Sequence, residues 1–199
     1  MNIVFDLGGV VFDWRPDKII RSVFTDPDTQ KIVKTEIFEH EDWVELDRGT
    51  ISFDQAVDRG MSRTGLSRER MEKLLNAVPP SLTPMQGTID LIRSIQESRN
   101  NFFVLSNMHT ASIAYLEKHH QIWDLFEGVV ISSRIQMVKP EIAIYEYLLR
   151  EHKLKPAETV FIDDMSENLV AAASTGIQTI RFVDPVQCKR ALVDLGCIE

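Results

Sequence analysis

Five short runs of residues are apolar nearly throughout, instead of alternating between apolar and polar side chains. They are rich in Val, Ile and Phe, and they cover residues 2–6, 102–106, 128–132, 159–163 and 178–183. Uninterrupted apolar runs of this length are typical of strands that are buried on both faces of a parallel sheet. The pattern therefore predicts five strands of one parallel sheet.

Helical patterns lie between the later runs, where apolar side chains recur every three or four positions. The repeating positions are Ile89, Ile92 and Ile95 before the second run, Ile113 and Leu116 after it, Ile142, Tyr145, Leu148 and Leu149 after the third, and Leu169, Val170 and Ala173 after the fourth. Thr110 is a candidate N-cap, and Asp184-Pro185 is a typical start for a last helix. Strand and helix alternate, which predicts an α/β fold with a doubly wound, Rossmann-like sheet covered on both faces.

Residues 15–84 interrupt this alternation. The segment contains no convincing strand, but it contains several short stretches with helical spacing of apolar residues. Ser52 and Gln55 form a capping box at the start of one of them. We predict that residues 15–84 are a small helical bundle, called here the helical insert, and that residues 1–14 and 85–199 form the core.

Composition narrows the class of protein. The chain has 199 residues, of which 44% are hydrophobic, so it can bury a substantial core. A net charge of −8 argues against nucleic acid or an anionic membrane as the main partner, although a local basic pocket stays open. No apolar run approaches the roughly 20 residues that span a bilayer.

The ends of the chain suggest an intracellular setting. The opening residues MNIVFDLGG carry neither a basic segment nor a cleavage site, which predicts a cytoplasmic protein. Cys188 and Cys197 are the only cysteines, and we expect both to be reduced. The sequence leaves open whether the protein is a monomer or a homodimer.

Polar side chains stand where the predicted strands end. Ligands of a doubly wound sheet bind beyond the carboxyl ends of its strands. The residues at or near those ends are Asp6, Ser106, Asn107, Lys139, Asp163 and Asp164. Each alone could be an ordinary loop or cap residue, but together they fall on one side of the sheet. Carboxylates crowded there repel one another unless a cation is present, and Mg²⁺ suits such oxygen ligands.

Four short motifs carry these residues in a recognisable order. They are Phe5-Asp6-Leu7-Gly8-Gly9-Val10, Leu105-Ser106-Asn107, Lys139-Pro140, and Phe161-Ile162-Asp163-Asp164 with Asn168. The chain resembles the haloacid dehalogenase-like hydrolase superfamily over essentially its whole length. It is most similar to the group of bacterial sugar-phosphate phosphatases that includes the α-D-glucose-1-phosphate phosphatase. In that family, a helical cap occupies the place of the helical insert.

The resemblance implies a Mg²⁺-dependent phosphatase of small phosphorylated metabolites, with sugar phosphates as the expected substrates. Asp6 would attack phosphorus and form an aspartyl-phosphate. The implied metal ligands are the carboxylates of Asp6 and Asp164 and the carbonyl of Gly8, with Asp163 as a closer or water-mediated helper.

The remaining motif residues would bind the phosphoryl group or orient the site. The resemblance implies that Ser106 and the backbone amide of Asn107 bind phosphoryl oxygens, and that Lys139 bridges Asp6 and the phosphate. Asn168 would orient its neighbours, a role that the family often gives to an acidic residue.

Gly8 departs from the family pattern, because many related phosphatases carry a second Asp there that protonates the leaving group. Water or a residue of the insert could supply the proton, or the leaving group could need little protonation. The protein could also be a weak phosphatase or a binding and regulatory module. Asp13 is the nearest spare carboxylate, but we expect it beyond the strand.

The helical insert should select the leaving group. Its candidate lining is the cluster His40, Glu41, Asp42, Trp43, Asp47 and Arg48, where an aromatic face beside polar groups suits a sugar; a Trp buried in the bundle among solvated charges is the alternative. His109 could touch the site. A 2-haloacid dehalogenase is a rival function, but it would leave the acidic pair Asp163-Asp164 without a cation.

Overall fold

The sheet has the predicted parallel arrangement. The computed structural model describes residues 1–96 and 100–198, and in that part of the chain it contains one parallel sheet of five strands. The strands are β1 (Asn2–Phe5), β2 (Asn101–Ser106), β3 (Gly128–Ile131), β4 (Thr159–Asp163) and β5 (Gln178–Arg181). Residues 97–99 and 199, which belong to the predicted core range, lie outside the described residues.

The strand order β3-β2-β1-β4-β5 places β1 at the centre. Its neighbours β2 and β4 lie on opposite sides, so the switch point of the doubly wound sheet is at the carboxyl end of β1. Asp6 follows directly, and its backbone N–H still donates to the carbonyl of Ile162 at 2.9 Å. The sheet therefore fixes the position of Asp6 although the strand itself ends one residue earlier than predicted.

The helical insert follows β1 and contains five α-helices in its described residues. They are α1 (Pro16–Val23), α2 (Pro27–Val33), α3 (Glu41–Arg48), α4 (Phe53–Thr64) and α5 (Arg68–Ser81), with a π-helical turn at Lys34–Phe38. The predicted capping box starts α4: the N–H of Ser52 donates to Gln55 Oε1 at 2.8 Å, and the N–H of Gln55 donates to Ser52 Oγ at 3.2 Å. The insert has its own hydrophobic cluster around Val57, Met71 and Leu74, separate from the two that flank the sheet.

Helices cover both faces of the sheet. The core helices are α6 (Gln86–Ser94), α7 (Thr110–His119), α8 (Ser132–Ile135), α9 (Ile142–Glu151), α10 (Ser166–Ser174) and α11 (Pro185–Asp194). Side chains of a strand alternate between faces, so Ile3 and Phe5 pack in the cluster with α6, α7 and α11, whereas Val4 packs with α9 and α10. This is why the central strand β1 carries buried apolar side chains on both faces.

Two helix starts were predicted in the core, and one is corrected. Asp184 caps α11 and accepts from the N–H groups of Val186 and Gln187, both at 2.8 Å, as expected. Thr110 is the first residue of α7 and not its N-cap; His109 holds that position and its Nδ1 accepts from the N–H of Ser112 at 3.3 Å. An imidazole nitrogen thus replaces the expected hydroxyl.

Two further observations concern the cysteines and the length of the apolar helices. Cys188 and Cys197 are both buried and form no disulfide. Among the helices of the described residues, none combines the length and apolar character that a membrane crossing requires.

Candidate active site

The predicted site residues meet at the carboxyl edge of the sheet. A cavity of about 500 Å³, called here the central cavity, lies between this edge and the helical insert. From the core it is lined by Asp6, Gly8, Asn107, Lys139 and Asp164, while Ser106 and Asp163 are buried and are not among the lining residues. A groove of similar volume, about 530 Å³, runs between α6 and α11, and none of the predicted site residues is among those that line it.

Lys139 joins the first and fourth motifs. Its Nζ lies 2.9 Å from Asp6 Oδ1 and 2.7 Å from Asp163 Oδ2, and the residue is only 4% exposed. Burial alone would lower the pKa of Lys139, but the two carboxylates outweigh it and the net shift is upward. The lysine is therefore a fixed positive charge beside Asp6.

Asp163 is held by the protein on all sides. One carboxylate oxygen accepts from the N–H of Met165 at 2.7 Å, and the Asn168 amide lies 3.1 and 3.0 Å from the two oxygens. Together with Lys139, these donors bind both carboxylate oxygens of Asp163, which has no exposed surface. The geometry makes Asp163 a partner of Lys139, with Asn168 as the group that orients both.

Asp164 is placed differently from its neighbour. It lines the cavity, takes part in neither ion pair of Lys139, and has a pKa raised by burial and by the charge of Asp163. A Cβ atom at Gly9, whose φ is +78°, would lie 2.7 Å from its Oδ2, so only glycine permits this approach.

The carboxylates fit a hard divalent cation. Oxygens of Asp6, Asp163 and Asp164 come within 4.8 Å of one another. With one oxygen of Asp163 committed to Lys139, the donor set open to the cavity is Asp6, Asp164 and the backbone at Gly8. Oxygen donors of this kind are those that Mg²⁺ prefers.

Asp6 is the buried acid at the floor of the cavity. Burial raises its pKa to about 7, the charge of Asp163 adds to the shift, and Lys139 opposes it. Its Oδ1 accepts from the N–H of Leu7 at 2.7 Å, which fixes the side chain. A cation beside it would favour the ionised, nucleophilic form.

The two residues of the second motif differ in how their side chains are used. Ser106 is 1% exposed and lies beside Asp6, yet its hydroxyl has no hydrogen-bond partner of ordinary geometry among the described residues. The Asn107 amide is fully used: Nδ2 donates to the carbonyl of Lys139 at 2.9 Å, and Oδ1 accepts from its N–H at 2.8 Å. A buried hydroxyl without a partner is what an incoming phosphoryl oxygen would satisfy.

The opposite wall of the cavity is aromatic. The rings of Trp14 and Trp43 stack with centroids 5.7 Å apart, Phe38 lies 4.7 Å from Trp43, and His109 meets Trp43 edge-on at 5.8 Å. The other apolar side chains of the wall are Val44, Val78, Leu82 and Met108. Trp43 was predicted as lining and His109 as a residue that could touch the site, whereas the other residues of this wall were not predicted.

Half of the polar lining predicted for the insert lies elsewhere. Asp42 is buried between Arg59, at 2.7 Å, and Arg63. His40 caps α3 through Nδ1, which accepts from the N–H of Asp42 at 3.1 Å, and Glu41 is exposed. None of these three residues is among those that line the cavity, so the prediction for them is corrected.

The other three predicted residues, Trp43, Asp47 and Arg48, do line the cavity. The guanidinium group of Arg48 donates two hydrogen bonds, of 2.9 and 2.7 Å, to the carboxylate of Glu141 in the core. His109 also lines it, but both ring nitrogens contact Ser112, and burial lowers its pKa to about 4. Asp13, by contrast, pairs with Arg15 at 2.7 Å outside the cavity.

Comparisons with known proteins find a matching family and two similar phosphatases. A family model described as haloacid dehalogenase-like hydrolase matches residues 3–182. A sesquiterpene phosphatase of Aspergillus oryzae is 29% identical over 195 residues, which is 98% of this chain and 96% of the relative. A D-ribitol-5-phosphate phosphatase of Bacteroides thetaiotaomicron is 27% identical over 195 residues, covering 90% of both chains.

The fold has solved counterparts. The crystal structure of a HAD family enzyme from Bacteroides thetaiotaomicron, in complex with magnesium and inorganic phosphate, superposes with a TM-score of 0.72 at 24% identity. The match covers 92% of this chain and 94% of that one.

Proposed function

The chain belongs to the haloacid dehalogenase-like hydrolase family, and from this premise we propose that it is a Mg²⁺-dependent phosphatase of small phosphate monoesters. The observation that supports the proposal best is the buried Asp6–Lys139–Asp163 array, with the open Asp164 carboxylate beside it at one end of the central cavity. The helical insert, residues 15–84, would act as the cap that closes over the substrate.

In the proposed reaction, Asp6 attacks phosphorus and Lys139 offsets the charge of the phosphoryl group. Asp163 and Asn168 hold the ammonium group in line, so they act through Lys139 and not on the substrate. The Ser106 hydroxyl and the backbone N–H of Asn107 receive the phosphoryl oxygens.

Asp6, Asp164 and the carbonyl of Gly8 would hold Mg²⁺, with Asp163 close behind. When bound, the ion would supply positive charge that reduces repulsion between the Asp6 carboxylate and the phosphate. The magnesium and phosphate in the related crystal structure support this assignment.

We propose sugar phosphates as substrates, as the sequence predicts, and the ribitol-5-phosphate phosphatase supports that class. A second candidate has its own observation. The cavity wall formed by Trp14, Phe38 and Trp43 is apolar, and Arg48 is committed to Glu141, so few free polar groups await sugar hydroxyls. A prenyl monophosphate fits this wall, and the sesquiterpene phosphatase supports it.

The test is phosphate release from 4-nitrophenyl phosphate and from a panel of sugar and prenyl monophosphates, with and without Mg²⁺. We expect Mg²⁺-dependent turnover by the parent and a loss of at least about 10³-fold in Asp6→Asn. Asp13→Asn is the matched control, because Asp13 pairs with Arg15 outside the cavity. Mg²⁺ should also raise the melting temperature of the parent more than that of Asp164→Asn.

Three outcomes contradict parts of the proposal. A parent without Mg²⁺-dependent turnover on any ester is a binding or regulatory protein. Metal-independent release of halide from 2-haloacids would show a dehalogenase instead. An unchanged rate in Asp6→Asn rejects the nucleophile. The cytoplasmic location and the choice between monomer and homodimer stay predictions.

A further inference from the structure

Position 8 leaves the leaving-group proton without an obvious source. An alcohol departs from phosphorus as a poor leaving group unless a positioned acid protonates its oxygen. Gly8 has no side chain, and Asp13, the next carboxylate along the chain, pairs with Arg15 outside the cavity. The acid must therefore come from another part of the cavity wall or from water.

Most titratable groups of the cavity wall have other partners. Asp6 and Asp164 serve as nucleophile and metal ligand in the proposed function, and Glu141 holds Arg48 in two hydrogen bonds. Both ring nitrogens of His109 face Ser112, at 3.3 and 2.9 Å.

Two acidic residues of the wall remain, Glu167 and Asp47. Glu167 is exposed in the first turn of α10, at the rim of the cavity. Asp47 is only partly exposed and lies in the last turn of α3. Among the described residues of the helical insert that line the cavity, it is the single carboxylate.

The core fixes the backbone at Asp47. Its carbonyl accepts from Ser132 Oγ at 2.5 Å, and the same hydroxyl accepts from the N–H of Met108 at 2.8 Å. Two residues on, a Cβ at Gly49 would lie 2.7 Å from the carbonyl oxygen of Ser133, so the chain approaches the core closely here. The end of α3 is thus docked on the loop that follows β2 and on α8, which follows β3.

The side chain of Asp47 is placed for chemistry. The backbone N–H of His109 and the side chain of Trp43 lie against its carboxyl group, and it is close enough to Asp6 and Lys139 to feel their charges. A carboxyl group has about four lone-pair positions, so two such neighbours leave capacity on the side that faces the cavity. On the phosphatase function proposed above, we propose that Asp47 is the catalytic acid and base of the reaction.

The two half-reactions balance with this single group. In the first, an Asp6 oxygen bonds to phosphorus, the bond from phosphorus to the leaving oxygen breaks, and that oxygen takes the Asp47 proton to give the free alcohol. In the second, water attacks phosphorus, Asp47 takes a water proton, and the bond from phosphorus to Asp6 breaks. Inorganic phosphate leaves, and both aspartates return to their starting forms.

The environment of Asp47 suits this exchange. Burial raises its pKa to about 7, and the charge of Asp6 adds to the shift, while the His109 N–H, Trp43 and Lys139 oppose it. A group that titrates near neutral pH is effective both as donor and as acceptor. An acid carried by the insert is in place only while α3 is docked on the core.

The test uses two esters that differ in how much protonation their leaving groups need. 4-Nitrophenolate departs without help, whereas a primary alkoxide does not. We expect Asp47→Asn to slow hydrolysis of a primary alkyl monophosphate by about 10²–10⁴-fold, and formation of the phosphoenzyme from 4-nitrophenyl phosphate far less. That variant should also release a burst of 4-nitrophenol equal to the enzyme concentration, because its aspartyl-phosphate lacks the base for hydrolysis.

Rescue provides an independent measurement. A Cβ at Gly8 would lie 3.7 Å from Trp14, an ordinary contact, so Asp can be introduced there. In the Asp47→Asn background, Gly8→Asp should raise the rate on the alkyl ester at least about tenfold above that of Asp47→Asn alone. Asp47→Ser removes the same carboxyl and replaces Asp47→Asn in both measurements if the latter does not fold.

The outcomes separate this proposal from the phosphatase function itself. A parent inactive on both esters contradicts the phosphatase function. An active parent whose Asp47 variants form the phosphoenzyme from both esters equally slowly, or show no burst, overturns only the role of Asp47. The role of Asp47 is also overturned if Glu167→Gln, and not Asp47→Asn, slows the alkyl ester far more than 4-nitrophenyl phosphate.

Discussion

The sheet edge and the helical insert face each other across the central cavity, but they hold their side chains in different ways. On the core side, Asp6, Lys139 and Asp163 are buried and linked by ion pairs of 2.9 and 2.7 Å. On the insert side, the wall is made of aromatic rings: Trp14 of the core stacks on Trp43, and Phe38 packs against Trp43. The carboxylate of Asp47 lines the cavity beside them.

This difference suggests that the sheet edge carries the reaction and the aromatic wall selects the leaving group. Buried charges tolerate almost no change, because removing one partner leaves the other without compensation. An aromatic wall depends on contact area and shape, and it accepts substitutions at a graded cost. We therefore expect variants of the core edge to lose the reaction itself, and variants of the aromatic wall to change which ester is hydrolysed.

The largest effect should come from Lys139→Met. The variant leaves Asp6 and Asp163 buried without their cation, and we expect it to lose about 3–5 kcal/mol of unfolding free energy at pH 8. The loss should be smaller at pH 5, because Asp6, whose pKa is about 7, then carries a proton and no charge. Chemical denaturation at the two pH values measures both.

Activity of Lys139→Met should fall by at least about 10²–10³-fold, since the charge beside the phosphoryl group is gone. Lys155→Met is the matched control: Lys155 is exposed and pairs with Glu158 at 2.9 Å on the surface, so it should change stability by less than about 1 kcal/mol. Equal destabilisation by the two variants would contradict the role of the buried array.

A smaller and selective effect is expected for Trp43→Leu. Losing the contact of a bulky apolar leaving group with this ring costs about 1.5–3 kcal/mol, which is roughly a tenfold to hundredfold loss in kcat/KM. A short alkyl phosphate of the same leaving-group basicity should be affected far less. Steady-state kinetics on the two esters give the ratio.

Trp123→Leu is the control, because Trp123 packs against the core outside the cavity. It should leave the ratio of the two kcat/KM values unchanged. A ratio that shifts equally in both variants would mean that Trp43 does not contact the leaving group.

The smallest effect on turnover is expected for Asp42→Asn. Asp42 lies outside the cavity and its charge stabilises the fold of the insert through Arg59 and Arg63. Burial by itself would raise the pKa of Asp42, but Arg59 and Arg63 outweigh it and lower the pKa. A lowered acid pKa stabilises the fold above the usual aspartate pKa of about 4, and this stability is lost as the pH falls through the lowered value.

The parent should therefore exceed Asp42→Asn by about 1–2 kcal/mol between pH 5 and 8, and the gap should close below about pH 4. Unfolding curves across this range, with Asp58→Asn as an exposed control paired to Arg68, measure it. A gap that widens in acid would contradict the assignment, and kcat should not change.

Much of the fold could be predicted because its signals are local. Continuous apolar runs gave the five strands, and Asp184-Pro185 gave the start of α11. The predicted N-cap of α7 was wrong because His109 caps the helix with an imidazole nitrogen. This cap depends on the packing of His109 against Ser112. Strand ends were set by neighbouring strands, which a single run does not reveal.

The residues at the sheet edge could be predicted to meet for a topological reason, whereas the wall formed by the helical insert could not be predicted. Parallel strands place their carboxyl ends at one edge, so Asp6 and Asp164 had to meet. The wall of the insert depends on how α3 docks on the core, through contacts such as Ser132 with Asp47, 85 residues apart in sequence. For that reason Asp42 and Asp47 looked equivalent, although only Asp47 faces the cavity.

The paired hydrogen bonds between the Asn107 amide and the backbone of Lys139 join two loops that are 32 residues apart in sequence. Joined in this way, the loops lose their conformational freedom once, when the chain folds, and not again in each catalytic cycle. Inorganic phosphate should then bind with little ordering entropy, and in Asn107→Ala the weaker binding should come mainly from a larger entropic penalty in calorimetry.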